Sequence, residues 1–286
     1  MLPPPLAAER TVENSKSYHA YKKSPYRSLK HSTYFDVYDE LFSPYVGNNI
    51  TFVEIGVLGG GSLFMWREFF GPNARIIGVD LNPAARRWEA EGFEIHIGSQ
   101  SDKQFLAELS GAIGPVDIVL DDGGHTYEQQ IITTECLLPL IRDGGILVVE
   151  DTHTSYMNRF GPKSFTFIDY SKNMVDRINY RFSRFKRKQS EQRVWAMRFF
   201  ESFVVFEINR KALERKSEIT DNGGKDVGAL DFRIEDDAII GNYQKTRKSL
   251  YAGGKFPGSR RIAKILGKLA IKRSDARQRK KIEEYF

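Results

Sequence analysis

The stretch VDIVLDDGGHTYEQQIITTECLLPLIRDGGILVVED, from Val116 to Asp151, constrains this chain more than any other. It reads as an apolar strand ending in acids, a helix, and a second apolar strand ending in acids. Residues 116–120 and 146–149 are short, rich in β-branched side chains and closed by turn residues, the pattern of strands buried on both faces of a parallel sheet. Between them, residues 126–141 carry Ile131, Leu138 and Ile141 at helical spacing, and Asp143-Gly144-Gly145 is expected to stop that helix. Strand, crossover helix and strand make one right-handed βαβ unit. If the two strands are neighbours, their C-terminal ends lie about 5 Å apart. That gathers Asp121, Asp122, Glu150 and Asp151, with His125, at the edge where open α/β sheets bind ligands. Carboxylates so close repel, so either some stay protonated or a cation neutralises them. A hard divalent ion with oxygen ligands is the simplest resolution. The plainer alternative is that these acids cap helices, Asp151 before Thr152 and Asp122 ahead of His125.

The rest of the chain supplies the partners of this unit. Residues 1–30 are Pro-rich, then polar and basic with scattered tyrosines, and read as an arm. Tyr34, Val37, Tyr38, Leu41 and Phe42 repeat at helical spacing, which predicts a lead-in helix over 32–42. TFVEIGV (51–57) reads as a buried strand running into Gly59-Gly60-Gly61-Ser62 and the helix LFMWREFF. The glycines permit close backbone approach to a ligand, and Ser62 is placed to cap the helix. IIGVD (76–80) is a second strand ending in an acid about two dozen residues after the Gly-rich turn, the nucleoside-binding arrangement of a Rossmann-like half. Residues 94–97 form a third strand, followed by Gly98-Ser99-Gln100-Ser101-Asp102 and a helix over 103–109. A helix is expected over about 172–185. Residues 194–200 and 203–208 flank Glu201-Ser202 as an antiparallel hairpin that closes the sheet.

With 286 residues, 41% of them hydrophobic and 28% charged, the chain has the composition of a globular protein rather than a disordered one. No apolar run reaches the ~20 residues of a membrane span. The start, MLPPPLAAER, lacks the order of a signal peptide, and a lone cysteine, Cys136, excludes an internal disulfide. Both lead to the expectation of a cytoplasmic protein. The net charge of +6 is unevenly spread: residues 255–281 hold eleven basic residues against Asp275, leaving the remainder net acidic. In that tail Ile262, Ile265, Leu266 and Leu269 recur at i, i+3, i+4, i+7, a cationic amphipathic helix. Such a helix suits an anionic membrane surface at its inner face, or docking on its own fold or on a second subunit as a homo-oligomer. A second basic run, 177–193, reads as a solvated face, or as a surface that meets phosphate or carboxylate groups of an acidic substrate.

The motifs VEIGVLGGGSLFMW, IGSQSD, DDGGH and VVEDTHTSY, in that order, resemble class I S-adenosylmethionine-dependent methyltransferases over roughly residues 28–211. Within that superfamily they look most like the metal-dependent O-methyltransferases of macrolide sugars, the mycinamicin and tylosin group, and are similar also to cephalosporin-pathway relatives. The resemblance implies an α/β fold: a Rossmann-like seven-stranded sheet with helices on both faces, its last two strands a hairpin. It divides the chain into an arm with lead-in helix (1–45), a catalytic domain (46–211) and a C-terminal extension with the basic tail (212–286). It also implies that Asp122, Glu150 and Asp151 hold Mg²⁺, and that His125 is the base beside Asp122. Glu54, Gly56, Gly60, Ser62, Asp80, Ser99 and Gln100 fall on cofactor-pocket positions, Asp80 on that of the ribose acid. A serine, Ser99, stands where the family commonly carries the Asp of Gly-Asp-Gln. Lys30 and His31 are the nearest match to a Lys/His loop of the family, which implies that the arm closes over the cofactor.

The function so implied is methyl transfer from S-adenosylmethionine to a sugar hydroxyl of a natural-product glycoside or a bacterial surface glycan, assisted by Mg²⁺ or another divalent ion. A catechol-type O-methyltransferase shares the same metal chemistry. An RNA-binding methyltransferase, or a non-catalytic nucleic-acid binder using the basic tail, predicts binding that falls steeply with salt. Against nucleic acid stands the near-absence of aromatic residues among those cations.

Overall fold

The computed structural model describes residues 12–179, 194–225, 237–252 and 258–285, which fall into two compact units, 1–217 and 218–286. The first unit is built on one seven-stranded sheet of order β3-β2-β1-β4-β5-β7-β6. Its strands are β1 (Thr51–Ile55), β2 (Arg75–Asp80), β3 (Glu94–Ile97), β4 (Val116–Asp121), β5 (Ile141–Val149), β6 (Val194–Phe200) and β7 (Phe203–Ile208). The first five run parallel, while β7 pairs antiparallel with both β5 and β6. This is the Rossmann-like sheet expected, hairpin included.

Alternation along the strands assigns side chains to two cores. Phe52, Ile146, Val148, Phe203 and Val205 point to one face. Val53, Leu147, Val149, Val204 and Phe206 point to the other. The first face is covered by α1 (Lys16–Lys23), α2 (Tyr34–Phe42) and α3 (Gly61–Phe70), whose Phe42, Trp66 and Phe70 interlock with Phe52, and Tyr38 with Trp66, in edge-on and tilted ring contacts. The second is covered by α4 (Lys103–Ile113), α5 (Tyr127–Leu137) and α6 (Phe167–Ile178). Burial of these rings and aliphatic chains on both faces is the main stabilising term, at roughly 1.5–3 kcal/mol for each fully buried side chain.

Two boundaries differ from the sequence reading, for local reasons. The crossover helix ends at Leu137, because Pro139 cannot continue it, and a 3-10 turn (Leu138–Leu140) leads into β5. Ile141 therefore opens a strand, and Asp143-Gly144-Gly145 lies within β5, where the register with β4 shifts. Likewise α6 begins at Phe167, where Thr166 and Asp169 form a reciprocal capping box. Residues 180–185 of the expected helix, most of the basic run 177–193 and the start of the arm lie outside the described residues.

The second unit holds α8 (Ala238–Ala252) and α9 (Ser259–Ile282), which follow the short α7 (Arg210–Glu214) of the first. They pack antiparallel: Tyr243 donates to the Ala263 carbonyl at 3.1 Å, its ring lies against Gly267, and Ser274 bonds Asp237. Ala263, Ala270 and Ser274 are buried, whereas Ile262, Ile265, Leu266 and Leu269 stay exposed on an adjacent stripe.

Candidate active site

The strand order reverses between β1 and β4, and ligands of open α/β sheets bind beyond the strand ends at such a point. A cleft of about 410 Å³ opens there, lined by Gly56 and Leu58 after β1, Asp80 and Leu81 after β2, and Ser99 and Asp122 from the neighbouring loops. Gly56 has φ +96°, and a Cβ on it would come within 2.2 Å of the Asp122 carbonyl oxygen. Only glycine fits, because the β1 turn and the β4 turn touch backbone to backbone. The lips are apolar: Leu29, Leu58 and Leu81, all at the cleft, are 72%, 87% and 71% exposed.

At the inner end of the cleft stand the acids. Asp122 follows β4, with its N–H bonded to the Ile55 carbonyl, and Glu150 follows β5, with its N–H bonded to the Asp121 carbonyl. Asp122, His125 and Asp151 present ligand atoms all within 4.8 Å of one another, and His125 Nε2 lies 3.4 Å from Asp151 Oδ2. His125 and Asp151 both take left-handed backbone, at φ 58° and 57°, a conformation that costs energy in non-glycine residues and recurs at functional sites. The three side chains are about a fifth to a quarter exposed, so a bound group would keep open positions toward the cleft. His125 Nδ1 is buried and has no hydrogen-bond partner among the described residues.

Glu150 is placed differently from the set expected in the sequence. It does not join this group, because both of its oxygens are engaged inward. Lys30 Nζ lies 2.8 Å from Oε1 and Tyr38 donates to Oε2 at 2.7 Å. Lys30 also reaches Asp122 Oδ2 at 2.5 Å. Burial alone would lower the lysine pKa, but the Asp122 and Glu150 charges outweigh it and hold Lys30 well above its ordinary value. Burial, reinforced by Asp122, pushes Glu150 up. Asp121 turns into the interior, where Gln100 and the Gly123 N–H hold Oδ1; burial raises its pKa to about 6.

The expected cofactor residues divide. Gly56, Ser62, Asp80, Ser99 and Gln100 line the cleft. Asp80 accepts from the Val57 and Leu58 N–H groups through Oδ2 and from Asn82 through Oδ1. Gln100 spends its amide on scaffolding: Nε2 donates to Asp121 and Thr133, and Oε1 accepts from Gly124. Glu54 lies inside the core, accepting from Ser62 and Trp66, and burial lifts its pKa to about 7. Gly60 faces the Trp88 indole, which would meet its Cβ at 2.3 Å. Lys30 does not line the cleft, since its ammonium is drawn to the acids, and His31 packs beside Tyr34 and His153. The arm reaches the cleft instead through Arg27, Ser28 and Leu29.

Sequence reasoning missed the hydroxyls behind the acids. Tyr34 bonds Asp151 and lies 2.7 Å from Ser202 Oγ, which in turn sits 2.5 Å from His153 Nδ1. The signal was the spacing of Lys30, Tyr34 and Tyr38, each four residues from the next, with the two tyrosines on the buried face of α2.

Residues 53–152 match the model of a family described as a methyltransferase domain. Among curated proteins, the 8-demethyl-8-alpha-L-rhamnosyl tetracenomycin-C 2'-O-methyltransferase of Streptomyces olivaceus is 35% identical over 159 residues, covering 52% of this chain and 42% of the relative. The mycinamicin VI 2''-O-methyltransferase of Micromonospora griseorubida is 35% identical over 156 residues, covering 50% and 39%. The chain thus spans about two fifths of the length of these relatives. Among solved structures, the MycE methyltransferase of the mycinamycin pathway in complex with Mg and SAH superposes with TM-score 0.62 at 26% identity, covering 80% of this chain and 60% of that one. Its complex that also holds mycinamycin VI gives 0.61 at 28%, covering 76% and 57%. Residues 53–152 thus match a methyltransferase-domain model, the seven-stranded sheet has the fold of that methyltransferase structure, and the chain is similar to macrolide- and tetracenomycin-sugar O-methyltransferases.

Proposed function

We propose that this chain transfers a methyl group from S-adenosylmethionine to a sugar hydroxyl, with a divalent cation such as Mg²⁺ held by the acids beside the cleft. The observation that carries the reading is the convergence of Asp122, His125 and Asp151 at the inner end of a cleft that has an acid, Asp80, at the position suited to ribose. The donor set fits a cation: two carboxylates converge beside an imidazole left to act as base, and the lysine ammonium already bridging Asp122 and Glu150 stands in for one. The similarity to sugar O-methyltransferases supports the choice of acceptor.

Asp122 and Asp151 would hold the cation, which when bound lowers the acceptor hydroxyl's pKa and fixes its orientation. S-adenosylmethionine supplies a sulfonium methyl. His125 takes the hydroxyl proton, its ring steered by Asp151 at 3.4 Å. Tyr34 orients Asp151 in turn. The apolar lips Leu29, Leu58 and Leu81 are suited to cover a bound nucleoside and keep water from the reacting groups. A crystal grown with S-adenosylhomocysteine and Mn²⁺ tests the arrangement by anomalous scattering. The reading expects a manganese peak in contact with Asp122 and Asp151 beside the bound nucleoside. Nucleoside in the cleft with no such peak would refute the metal's place in it.

The reading extends to the tail. The exposed stripe Ile262, Ile265, Leu266 and Leu269, flanked by Arg261, Lys264, Lys268 and Lys272, suits an anionic lipid surface, where a lipid-linked glycan would be presented.

A further inference from the structure

We infer that Lys30 is the resident counter-cation of the acid cluster, and that a divalent ion binds by displacing it. The inference rests on the metal reading above and adds a step to it. The Lys30 side chain is 2% exposed, whereas Leu29 beside it is 72% exposed and His31 is exposed as well. Only the side chain is buried, threaded inward from a segment whose backbone lies at the surface. Its ammonium bridges Asp122 and Glu150 and lies 5.7 Å from the centre of the Tyr38 ring.

This placement leaves the three acids unequal. Asp122 and Asp151 converge with His125, while Glu150 has one oxygen on Lys30 and the other on Tyr38. A divalent ion seated on Asp122 would share that carboxylate with the ammonium, and two cations so close in a poorly solvated site repel strongly. Removing Lys30 without replacement would strand Glu150, buried at 1% exposure, as an unpaired charge. Exchange resolves both: Lys30 withdraws, Asp122 and Glu150 are freed to join Asp151 in holding the ion, and Tyr38 keeps its bond to Glu150. All three acids named from the sequence then serve the metal together.

The exchange reaches the cofactor cleft. Arg27, Ser28 and Leu29 line the cleft immediately before Lys30, so the same side chain that neutralises the acids ties down one lip. The segment keeps its other anchors, with Tyr21 donating to the Ser28 carbonyl at 2.9 Å and Ser24 to the Gly61 carbonyl at 2.8 Å. Lys30 can therefore leave while the segment stays attached.

The test uses the full chain, Mn²⁺ and trypsin. Trypsin needs the lysine side chain in its specificity pocket, so Lys30 is protected while it is buried. In wild type, saturating Mn²⁺ is expected to speed cleavage after Lys30 at least tenfold over the same protein in chelator, followed by mass spectrometry. Lys30→Met, which keeps the stem but removes the charge and the cleavage site, is expected to bind Mn²⁺ at least tenfold tighter by electron paramagnetic resonance of the free ion. Unchanged or slower cleavage in wild type that binds Mn²⁺, or equal or weaker Mn²⁺ binding by Lys30→Met, overturns the displacement but leaves the metal reading standing. Binding by neither protein overturns both. The wild-type cleavage arm stands even if the variant fails to fold.

Discussion

At the scale of single residues, His125 and Glu54 separate chemistry from architecture. His125 combines a left-handed backbone, a buried unpartnered Nδ1 and an Nε2 facing Asp151, all at the inner end of the cleft. In the base role proposed for it, such a group contributes about 10²–10⁴-fold in rate. His125→Ala is therefore expected to lower turnover by at least about 10²-fold, with S-adenosylhomocysteine affinity by calorimetry unchanged within a factor of about two. Near-normal turnover would remove it from the reaction. Glu54 works by position in the core, under α3. Its folded pKa of about 7 lies above the ordinary carboxylate value near 4.5, because burial penalises the charge. The sign follows: the protonated form favours the fold, so the contribution is fully present below about pH 4.5 and is lost as pH rises through about 7. Glu54→Gln removes this titration while leaving a carbonyl for Trp66. Relative to wild type, the variant should gain stability between pH 5 and pH 8, on the order of 3 kcal/mol at most, read by denaturant melts at both pH values. A constant difference across that range would contradict the assignment.

At the scale of elements, the sheet was legible in the sequence because its central strands are short runs rich in β-branched side chains closed by glycine or acid, and run length with those closures identifies them. The bounds of β3, β6 and β7 fall where the alternation starts and stops. The end of α5 did not, because apolar spacing continues through Leu138 and Ile141 while Pro139 breaks the helix between them. The candidate site was legible to the extent that strand ends carry it, as with Asp122, Asp151 and the cleft glycines. The engagement of Glu150 was not, since it depends on Lys30 and Tyr38, more than a hundred residues away in sequence, and no periodicity encodes such a pair. What α2 offered was two tyrosines on its buried face, and buried hydroxyls need partners. For α9 the exposed apolar stripe carries its own prediction. Vesicles rich in phosphatidylglycerol should pellet the full chain, and replacing Ile262, Ile265, Leu266 and Leu269 by serine should lower the pelleted fraction several-fold. Phosphatidylcholine vesicles should pellet neither. Identical pelleting of both proteins would reject the lipid surface.

At the scale of the whole molecule, charge is partitioned between the units. The cations concentrate beyond residue 254, while the sheet-bearing unit balances 27 basic against 27 acidic residues and is net neutral. Its most consequential acids are collected by topology: the strand order reverses between β1 and β4, and the β4 and β5 ends deliver carboxylates to the same edge as the glycine turn. Two cores clamp the sheet from both faces, so those ends are held with little freedom, as the proposed positioning of a hydroxyl, a base and a methyl donor requires. Whether a cation works at that edge is read by one assay: methyl transfer from labelled S-adenosylmethionine to a panel of glycosides, by metal-stripped protein, with and without Mg²⁺ in the presence of chelator. Transfer that disappears in excess chelator and returns on adding excess Mg²⁺ is the expected result. Full turnover in excess chelator would contradict it.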